Sequence, residues 1–128
     1  MYALNAATGQ VRWTYTTGGA VDSSPAVANG TVYVGSDDYK VYALDAATGQ
    51  VSWTYTTGSD VTSRPAVADG TVYIGSDDYK VYALDAATGQ VRWTQSTGSY
   101  IDSGPAVADG TVYIGSQDDK VYALSAGS

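Results

Sequence analysis

The sequence contains no cysteine, histidine, phenylalanine or glutamate, so all 13 acidic residues among its 128 are aspartates. Without cysteine there is no disulfide framework and no thiol nucleophile. Without cysteine and histidine together, the usual zinc and transition-metal ligand sets cannot be assembled. The lack of histidine also removes the conventional serine triad. These absences exclude several common classes of enzyme and metal site.

Positive charge is scarce as well, since six lysines and arginines leave a formal net charge of -7. Lys40, Lys80 and Lys120 are spread along the chain, so no basic stripe is available to bind phosphates. No apolar run approaches the roughly 20 residues that span a bilayer, and no apolar signal region follows the amino terminus. The sequence therefore predicts a soluble chain without a signal peptide and without a nucleic-acid or membrane partner. It does not indicate a location.

The chain repeats itself at a fixed period, as "ALDAATGQVSWTY" at 43–55 shows when it is compared with 3–15 and 83–95. The copies 1–40, 41–80 and 81–120 differ from their neighbours at only nine positions. A fixed period of this size indicates a solenoid, a propeller or another repeat array. Copies this similar indicate recent duplication or design.

Each period holds four short β-like runs separated by turn signals, and no window has a helical apolar spacing. Starting in the middle copy these runs, strands a to d, are "SRPAVADG", "TVYIGS", "KVYALD" and "QVRWTQ". Pro65 opens strand a, which favours the edge of a sheet. Strands b and c carry apolar residues on both faces, as in sheets packed on both sides. The sequence predicts an all-β fold of four-stranded antiparallel blades, a β-propeller fragment.

The spacing A-x-D-x-x-T-G-x-x-x-W recurs at the turn between strands c and d. It resembles the tryptophan-docking motif of the pyrroloquinoline quinone (PQQ) repeat family, found in quinoprotein alcohol dehydrogenases and in an outer-membrane assembly lipoprotein. The first copy departs from it only in Asn5. The predicted docking residues are Ala3, Thr8, Gly9 and Trp13; Ala43, Asp45, Thr48, Gly49 and Trp53; and Ala83, Asp85, Thr88, Gly89 and Trp93.

The resemblance implies that each tryptophan stacks on the glycine of its own motif and donates its N-H to a neighbouring blade. Physical reasoning agrees, because an indole buries a large area and needs one hydrogen-bond acceptor. Surface stacking of a sugar or base on these tryptophans is the less favoured alternative.

The repeat divides one domain, 1–128, into strands c and d (1–22), two whole blades (23–62 and 63–102) and strands a, b and c (103–128). Three blades cannot close a ring within one chain, so we expect homo-oligomerisation. Two chains would give six blades and three would give nine, which lies nearer the family's usual angle between blades. The last copy, "ALSAGS", lacks its Thr-Gly turn and tryptophan, which we expect another chain to supply. One strand c per junction is then redundant.

Differences between copies concentrate on the d-a loops and b-c turns, which share one face of the ring. The functional hypothesis is a ligand site on this loop face. The favoured alternative is neutral drift in exposed loops, or residues left over from a once larger ring. The Asp37-Asp38 and Asp77-Asp78 pairs are interpreted as solvated turn residues, with calcium binding as the alternative. The candidate ligand residues are Asp22, Asp60, Arg64, Tyr100 and Asp102.

The dehydrogenases of this family use a calcium ion, an aspartate base, basic contacts to the quinone and a disulfide between adjacent cysteines. The chain lacks cysteine and glutamate, and near-identical blades leave no asymmetric catalytic site. We therefore predict no enzyme activity, no catalytic residue, no metal and no cofactor. The favoured function is a self-assembling scaffold, designed or recently amplified. A binding module for a ligand or protein comes second, and a vestigial PQQ-dependent dehydrogenase last.

Overall fold

A computed structural model describes residues 1–126, and it is built entirely from β-strands and turns. Residues 127 and 128 of the predicted a-b-c segment lie outside the described residues. No membrane-spanning helix occurs in the described part. The thirteen predicted strands are confirmed: β1 (Tyr2–Leu4), β2 (Val11–Thr14), β3 (Ala26–Ala28), β4 (Thr31–Gly35), β5 (Lys40–Asp45), β6 (Val51–Thr56), β7 (Ala66–Ala68), β8 (Thr71–Gly75), β9 (Lys80–Asp85), β10 (Val91–Ser96), β11 (Ala106–Ala108), β12 (Thr111–Gly115) and β13 (Val121–Ser125).

The strands form four antiparallel sheets that follow the order of the sequence. Two whole sheets run β3-β4-β5-β6 and β7-β8-β9-β10, a third contains β11-β12-β13, and β1 and β2 form a two-stranded ribbon. The predicted all-β propeller-fragment fold is confirmed. In the whole sheets, the proline-led strands β3 and β7 occupy an edge, as the missing proline N-H requires.

Tight hairpins join β3 to β4, β7 to β8 and β11 to β12. At the first of these turns Asn29 and Gly30 have φ angles of 51° and 76°. Both angles lie in the left-handed region that asparagine and glycine tolerate, and this fits the two-residue hairpin that the sequence predicts. The turn brings Ala26 opposite Tyr33 and Ala28 opposite Thr31.

The core lies between neighbouring sheets, not within one. Val34, Val41, Ile74 and Val81 are fully buried, and β4, β5, β8 and β9 are buried on both of their faces. This confirms the prediction drawn from the apolar residues on both faces of strands b and c. Packing between sheets therefore supplies most of the apolar burial of this fold.

The short first strands line the inner side of the array. β7 contacts both β3 and β11, so the first strands of successive sheets lie side by side. They border an open cleft of about 610 Å³ whose walls include Pro25, Val27, Arg64, Val67 and Pro105. The cleft corresponds to a sector of the central channel of a propeller.

Candidate functional site

The tryptophans connect each sheet to the next one. The Nε1 of Trp13 donates to the Ala46 carbonyl oxygen at 2.9 Å, and the Nε1 of Trp53 donates to that of Ala86 at 2.9 Å. A Cβ on Gly49 would lie 2.6 Å from the Trp13 ring, so only glycine permits this contact. Each of these two indoles thus packs on one c-d turn and donates a hydrogen bond to it.

The glycine under each indole belongs to the following copy, so the expected stacking on the motif's own glycine is wrong. Trp53 lies on Gly89, whereas a Cβ on Gly9 would meet nothing within 4 Å. The reason is that strand side chains stand perpendicular to their sheet. Trp13 is paired with Ala3 in its own sheet and therefore projects onto the neighbouring one.

The side chain at the start of each c-d turn, Asp45 in the second copy, holds the turn by accepting hydrogen bonds from its backbone. The Oδ1 of Asp45 accepts hydrogen bonds from the backbone N-H groups of Ala47 (2.8 Å) and Thr48 (3.1 Å). The Oδ1 of Asn5 accepts the equivalent bonds at 2.9 and 3.0 Å, so the one departure from the motif keeps the turn. Asp85 does the same and also forms an ion pair with Arg92 at 2.7 Å.

A second joint between sheets was missed from the sequence. A Cβ on Gly35 would lie 2.4 Å from a methyl carbon of Val61, and one on Gly75 would lie 2.2 Å from a methyl carbon of Ile101. Val61 and Ile101 are fully buried although they come from polar loops. An apolar residue at the same place in each otherwise polar d-a loop is the signal that predicts such an anchor.

A third joint is a ladder of serines spaced by one repeat. The hydroxyl of Ser23 donates to the Ser63 carbonyl oxygen at 2.9 Å, and that of Ser63 donates to the Ser103 carbonyl oxygen at 2.8 Å. The hydroxyls also accept bonds from the N-H groups of Gly35 and Gly75, both at 3.1 Å. Because Ser23 and Ser63 are buried, these bonds fix the spacing of the first strands.

All three joints are incomplete at the outer surface and the open strand edge of the last sheet, β11-β12-β13. The Ser103 hydroxyl, which would continue the serine ladder, donates instead to the Gly115 carbonyl oxygen at the end of β12, at 3.1 Å. The Nε1 of Trp93 is buried without a hydrogen-bond partner in residues 1–126. Among residues 1–126, a Cβ on Gly115 would meet only the Ser103 hydroxyl, at 3.5 Å. Tyr113 is 44% exposed, whereas the equivalent Tyr33 is 4% exposed. This surface, which we call the trailing face, holds three unfilled joints.

The opposite surface, the leading face, carries the complementary parts. Gly9 is exposed and open, and its turn has the same shape as those of Gly49 and Gly89. Val21 occupies the repeat position of Val61 and Ile101 but is only half-buried. Tyr2, Leu4 and Val11 of β1 and β2 are more than half exposed. Each unfilled position on the trailing face thus has its counterpart here.

Carboxylates gather on the loop face. Burial raises the pKa of Asp37, and the adjacent Asp22 carboxyl raises it further. Burial and then Asp102 raise the pKa of Asp77 to about 6, with smaller contributions from Asp60 and Asp37. One carboxylate oxygen of each raised aspartate is buried and unpartnered in residues 1–126. The structure thus brings the predicted Asp22, Asp60 and Asp102 into one acidic row.

The second aspartate of each pair organises its turn and is not merely solvated. The Oδ2 of Asp38 accepts from the Gly18 N-H at 2.9 Å and from the Tyr42 hydroxyl, and its Oδ1 accepts from the Lys40 N-H at 3.0 Å. Burial opposes ionisation of Asp38, but these hydrogen bonds outweigh it and lower its pKa. The prediction of a turn is right, and both aspartates of this pair are partly exposed.

The other two candidate ligand residues do not join the acidic row by ion pairs. Arg64 lines the cleft and packs beside Gly104, and no ion pair links it to a carboxylate in residues 1–126. Tyr100 is half exposed and packs edge-on against Tyr79, with ring centroids 5.5 Å apart. Among the described residues, no group of acidic side chains has the arrangement of a metal site.

The third copy places an amide in the acidic row. Gln117 stands at the repeat position of Asp37 and Asp77, and its Nε2 donates to the Oδ2 of Asp102 at 2.9 Å. The Oδ1 of Asp102 accepts from the Thr62 hydroxyl at 3.3 Å. At this end of the row, the Asp102 carboxylate therefore lies between two neutral side chains, Thr62 and Gln117.

The family model of the outer membrane protein assembly factor BamB matches residues 1–64 and again 56–128. The chain belongs to the PQQ-repeat family of β-propellers. BamB from Moraxella catarrhalis is 29% identical with a TM-score of 0.87, and the match covers 98% of this chain and 39% of that one. None of the curated proteins matches the sequence significantly.

Two solved PQQ-repeat dehydrogenases are also similar. The quinohemoprotein alcohol dehydrogenase ADHIIG from Pseudomonas putida HK5 is 31% identical with a TM-score of 0.77, over 88% of this chain and 20% of that one. The enzyme from Comamonas testosteroni is 31% identical with a TM-score of 0.73, over 85% and 20%. The chain therefore spans only a part of the length of each PQQ-repeat relative.

The loop face does not fit the quinone after which the PQQ repeat is named. That quinone carries carboxylate groups and needs cationic partners. Here the loop face presents Asp22, Asp60 and Asp102. Arg64 is the one cation that lines the described cleft. The carboxylates of the quinone would meet carboxylates of the protein, so the residues of this face do not fit it.

Asp77→Asn is expected to raise the midpoint of thermal unfolding by several degrees at pH 8 and to change it little at pH 3. The pKa of Asp77 is raised from 3.8 to about 6 in the folded chain, so the folded state binds the proton more tightly. The contribution of Asp77 to stability is therefore fully present below pH 3.8 and is lost as the pH rises through 6. Asp109→Asn, at an exposed hairpin tip, is the control and should show no such pH dependence.

Proposed function

We propose that this chain is a non-catalytic scaffold that assembles with copies of itself into a closed propeller ring. The observation that carries the proposal is the match between the two open faces. On the trailing face, each of the three joints lacks its partner group. The leading face carries the three missing partner groups. The exposed apolar residues at both faces give the contact a driving force.

The joints continue across the two faces at constant spacing. Within the chain, tryptophan and its acceptor are 33 residues apart, and the linked serines are 40 apart. From Trp93 the same spacing leads to residue 126, which is the repeat position of Ala6 in a second copy. From Ser103 it leads to the repeat position of Ser23 in that copy. Gly115 likewise reaches Val21. A single placement of the second copy therefore serves all three joints at once.

The contact is head-to-tail, so it closes only into a ring with a multiple of three blades. A trimer would have nine blades and a dimer six. We propose the trimer, since nine lies nearer the inter-blade angle of the larger propellers in the family. Near-identity of the copies supports an origin by design or recent amplification.

Native mass spectrometry and light scattering test the assembly directly. At micromolar concentration the particle should have three times the 13.2 kDa mass of one chain. A particle of two chains would support self-assembly and would change the expected number of blades from nine to six. A well-folded monomer at the same concentration would refute self-assembly.

Gln117→Asp is expected to weaken assembly about tenfold or more at pH 8 and to restore much of it near pH 5, because like charges in contact cost about a kcal/mol or more. In the ring, Gln117 lies between Asp102 of its own chain and Asp22 of the next, by the spacing that places Asp77 beside Asp102. A carboxylate there would face two others. The concentration of half-assembly at each pH, from light scattering, measures the effect.

Asp37→Asn is the matched control for this experiment, because Asp37 lies in the same row beside Asp22 of its own chain. It should leave assembly unchanged or slightly stronger. Adding Asp22→Asn to Gln117→Asp should recover part of the loss. Equal assembly of Gln117→Asp and the native chain at pH 8 would contradict the proposed neighbourhood of Gln117.

We propose no catalytic function for this chain. The alcohol dehydrogenases are much longer than this chain, which spans 20% of each. It has no residue that can be assigned their chemistry, and its loop face does not fit the quinone. A binding function of the loop face stays a prediction, because Arg64 and Tyr100 do not join the acidic row into one site.

A further inference from the structure

Two strands compete for one place when the open faces meet. β13 is the third strand of the trailing sheet and pairs with β12 from Thr111↔Ser125 to Gly115↔Val121. β1 of a second copy is also a third strand, and it pairs with its own β2 from Tyr2↔Thr14 to Leu4↔Val11. A four-stranded blade has room for one of them. The question is which strand leaves.

β13 is less covered than its equivalents β5 and β9, although it pairs with β12 in the same register. Val121 is 78% exposed, whereas Val41 and Val81 are fully buried at the same repeat position. β13 pairs with β12 alone. The Tyr73 hydroxyl reaches the Ala126 carbonyl oxygen only at 3.5 Å, and the N-H of Trp93 has no partner in residues 1–126 although Ala126 packs nearby. β13 thus fills the strand position without completing the joint.

β1 arrives with the rest of the joint attached. The turn after it is closed by a bond from the Asn5 N-H to the Gln10 carbonyl oxygen at 2.7 Å and by one from the Gly9 N-H to the Asn5 carbonyl oxygen at 2.8 Å. Met1 packs against the buried residues of the next sheet. If β1 left instead, β2 would have to pair with β13, and this turn with its open glycine would be lost. If β1 stays paired with β2, the turn and its open glycine are both preserved.

We propose that β1 and β2 of a second copy displace β13, so that β1 pairs with β12 and residues 121–126 are released. This inference rests on the proposed self-assembly. The register that pairs Tyr113 with Ala123 then pairs Tyr113 with Ala3 of the second copy. Trp93 packs on Gly9 of that copy and donates to its Ala6 carbonyl oxygen. The exchange trades the strand pairs of β13 for equivalent ones and adds the missing indole bond.

Engineered cysteines can distinguish the two partners of Tyr113, because the native chain has no cysteine. Directly opposed antiparallel residues bring their Cβ atoms within disulfide range. Oxidised Tyr113→Cys with Ala3→Cys should cross-link copies into covalent multimers. Oxidised Tyr113→Cys with Ala123→Cys should instead staple β13 within one chain and block assembly until a reductant opens the bond. Tyr113→Cys alone controls for loss of the tyrosine.

Trypsin gives a second measurement on the native chain. Lys40, Lys80 and Lys120 stand at equivalent turns, so they form a matched set. In the assembled fraction a released β13 should let trypsin cut after Lys120 about tenfold faster or more than after Lys40 or Lys80, with the particle intact, because cleavage follows opening. This result does not depend on any substitution.

The outcomes separate the exchange from assembly itself. If the native chain assembles, but the 113–123 staple assembles equally well and Lys120 is as resistant as Lys80, the exchange is wrong and the scaffold stands. If the native chain stays monomeric, both proposals fail. Covalent multimers from the 3–113 pair, together with a staple that blocks assembly, support the exchange.

Discussion

Gly115→Ala is expected to leave the chain folded and to reduce assembly at least tenfold, which corresponds to a loss of about 1 to 3 kcal/mol per junction. In a single chain the new methyl group meets only the Ser103 hydroxyl at 3.5 Å, an ordinary contact. In the ring it would occupy the place of Val21 from the next copy. The equivalent distances of 2.4 and 2.2 Å at Gly35 and Gly75 show that this place cannot hold both groups.

Gly75→Ala is the matched control, since the same change there falls inside the chain. Its Cβ would lie 2.2 Å from a methyl carbon of Ile101, so it should lower the free energy of unfolding of the single chain itself by about 1 to 3 kcal/mol. Urea unfolding at low concentration measures the fold, and light scattering measures assembly. Assembly of Gly115→Ala at native strength would show that Val21 does not cover Gly115.

Trp53→Ala is expected to lower the free energy of unfolding by about 3 to 5 kcal/mol, which is a large part of the stability of a domain this size. The indole is 9% exposed, covers Gly89 and donates to Ala86 at 2.9 Å. Its removal opens a cavity between the two whole sheets and leaves the Ala86 oxygen with the Tyr33 hydroxyl as its side-chain donor. Urea unfolding followed by circular dichroism measures the loss.

Trp93→Ala provides the comparison at the unfilled joint. Trp93 is half-buried and its N-H has no partner in residues 1–126, so the cost in a dilute single chain should be clearly smaller than at Trp53. In the assembled ring the two substitutions should cost similar amounts, because the second copy completes the joint. Equal costs in the single chain would contradict the view that the trailing joint is incomplete.

Strands and turns were predictable because their causes are local. Asn29 and Gly30 tolerate the positive φ that a two-residue hairpin needs, and Asp45 bonds to backbone groups two and three residues ahead. Apolar residues on both faces of strands b and c predicted burial on both sides. These features depend on neighbours within a few residues, which a sequence displays directly.

The partners across the joints were not predictable in the same way. Trp13 lies on Gly49 and not on Gly9, although both glycines have nearly identical local sequence. The Gly35–Val61 contact joins β4 to the loop that follows β6, and the sequence of neither segment indicates that the other is its partner. The acidic row, too, depends on loops from different blades converging on one side. Only the stacking of sheets brings these residues together.

The repeat in the amino-acid sequence was sufficient to predict the all-β class, the four-stranded blade and the residues that form its turns. It also predicted that the first and last sheets have uncovered faces. The fixed period and local backbone preferences carry that information. The way in which a blade binds its neighbour depends on the direction in which side chains leave a twisted sheet, and distance along the chain does not encode this. For that reason Trp93, Gly9, Gly115 and Val21 became interpretable only when the sheets were placed side by side.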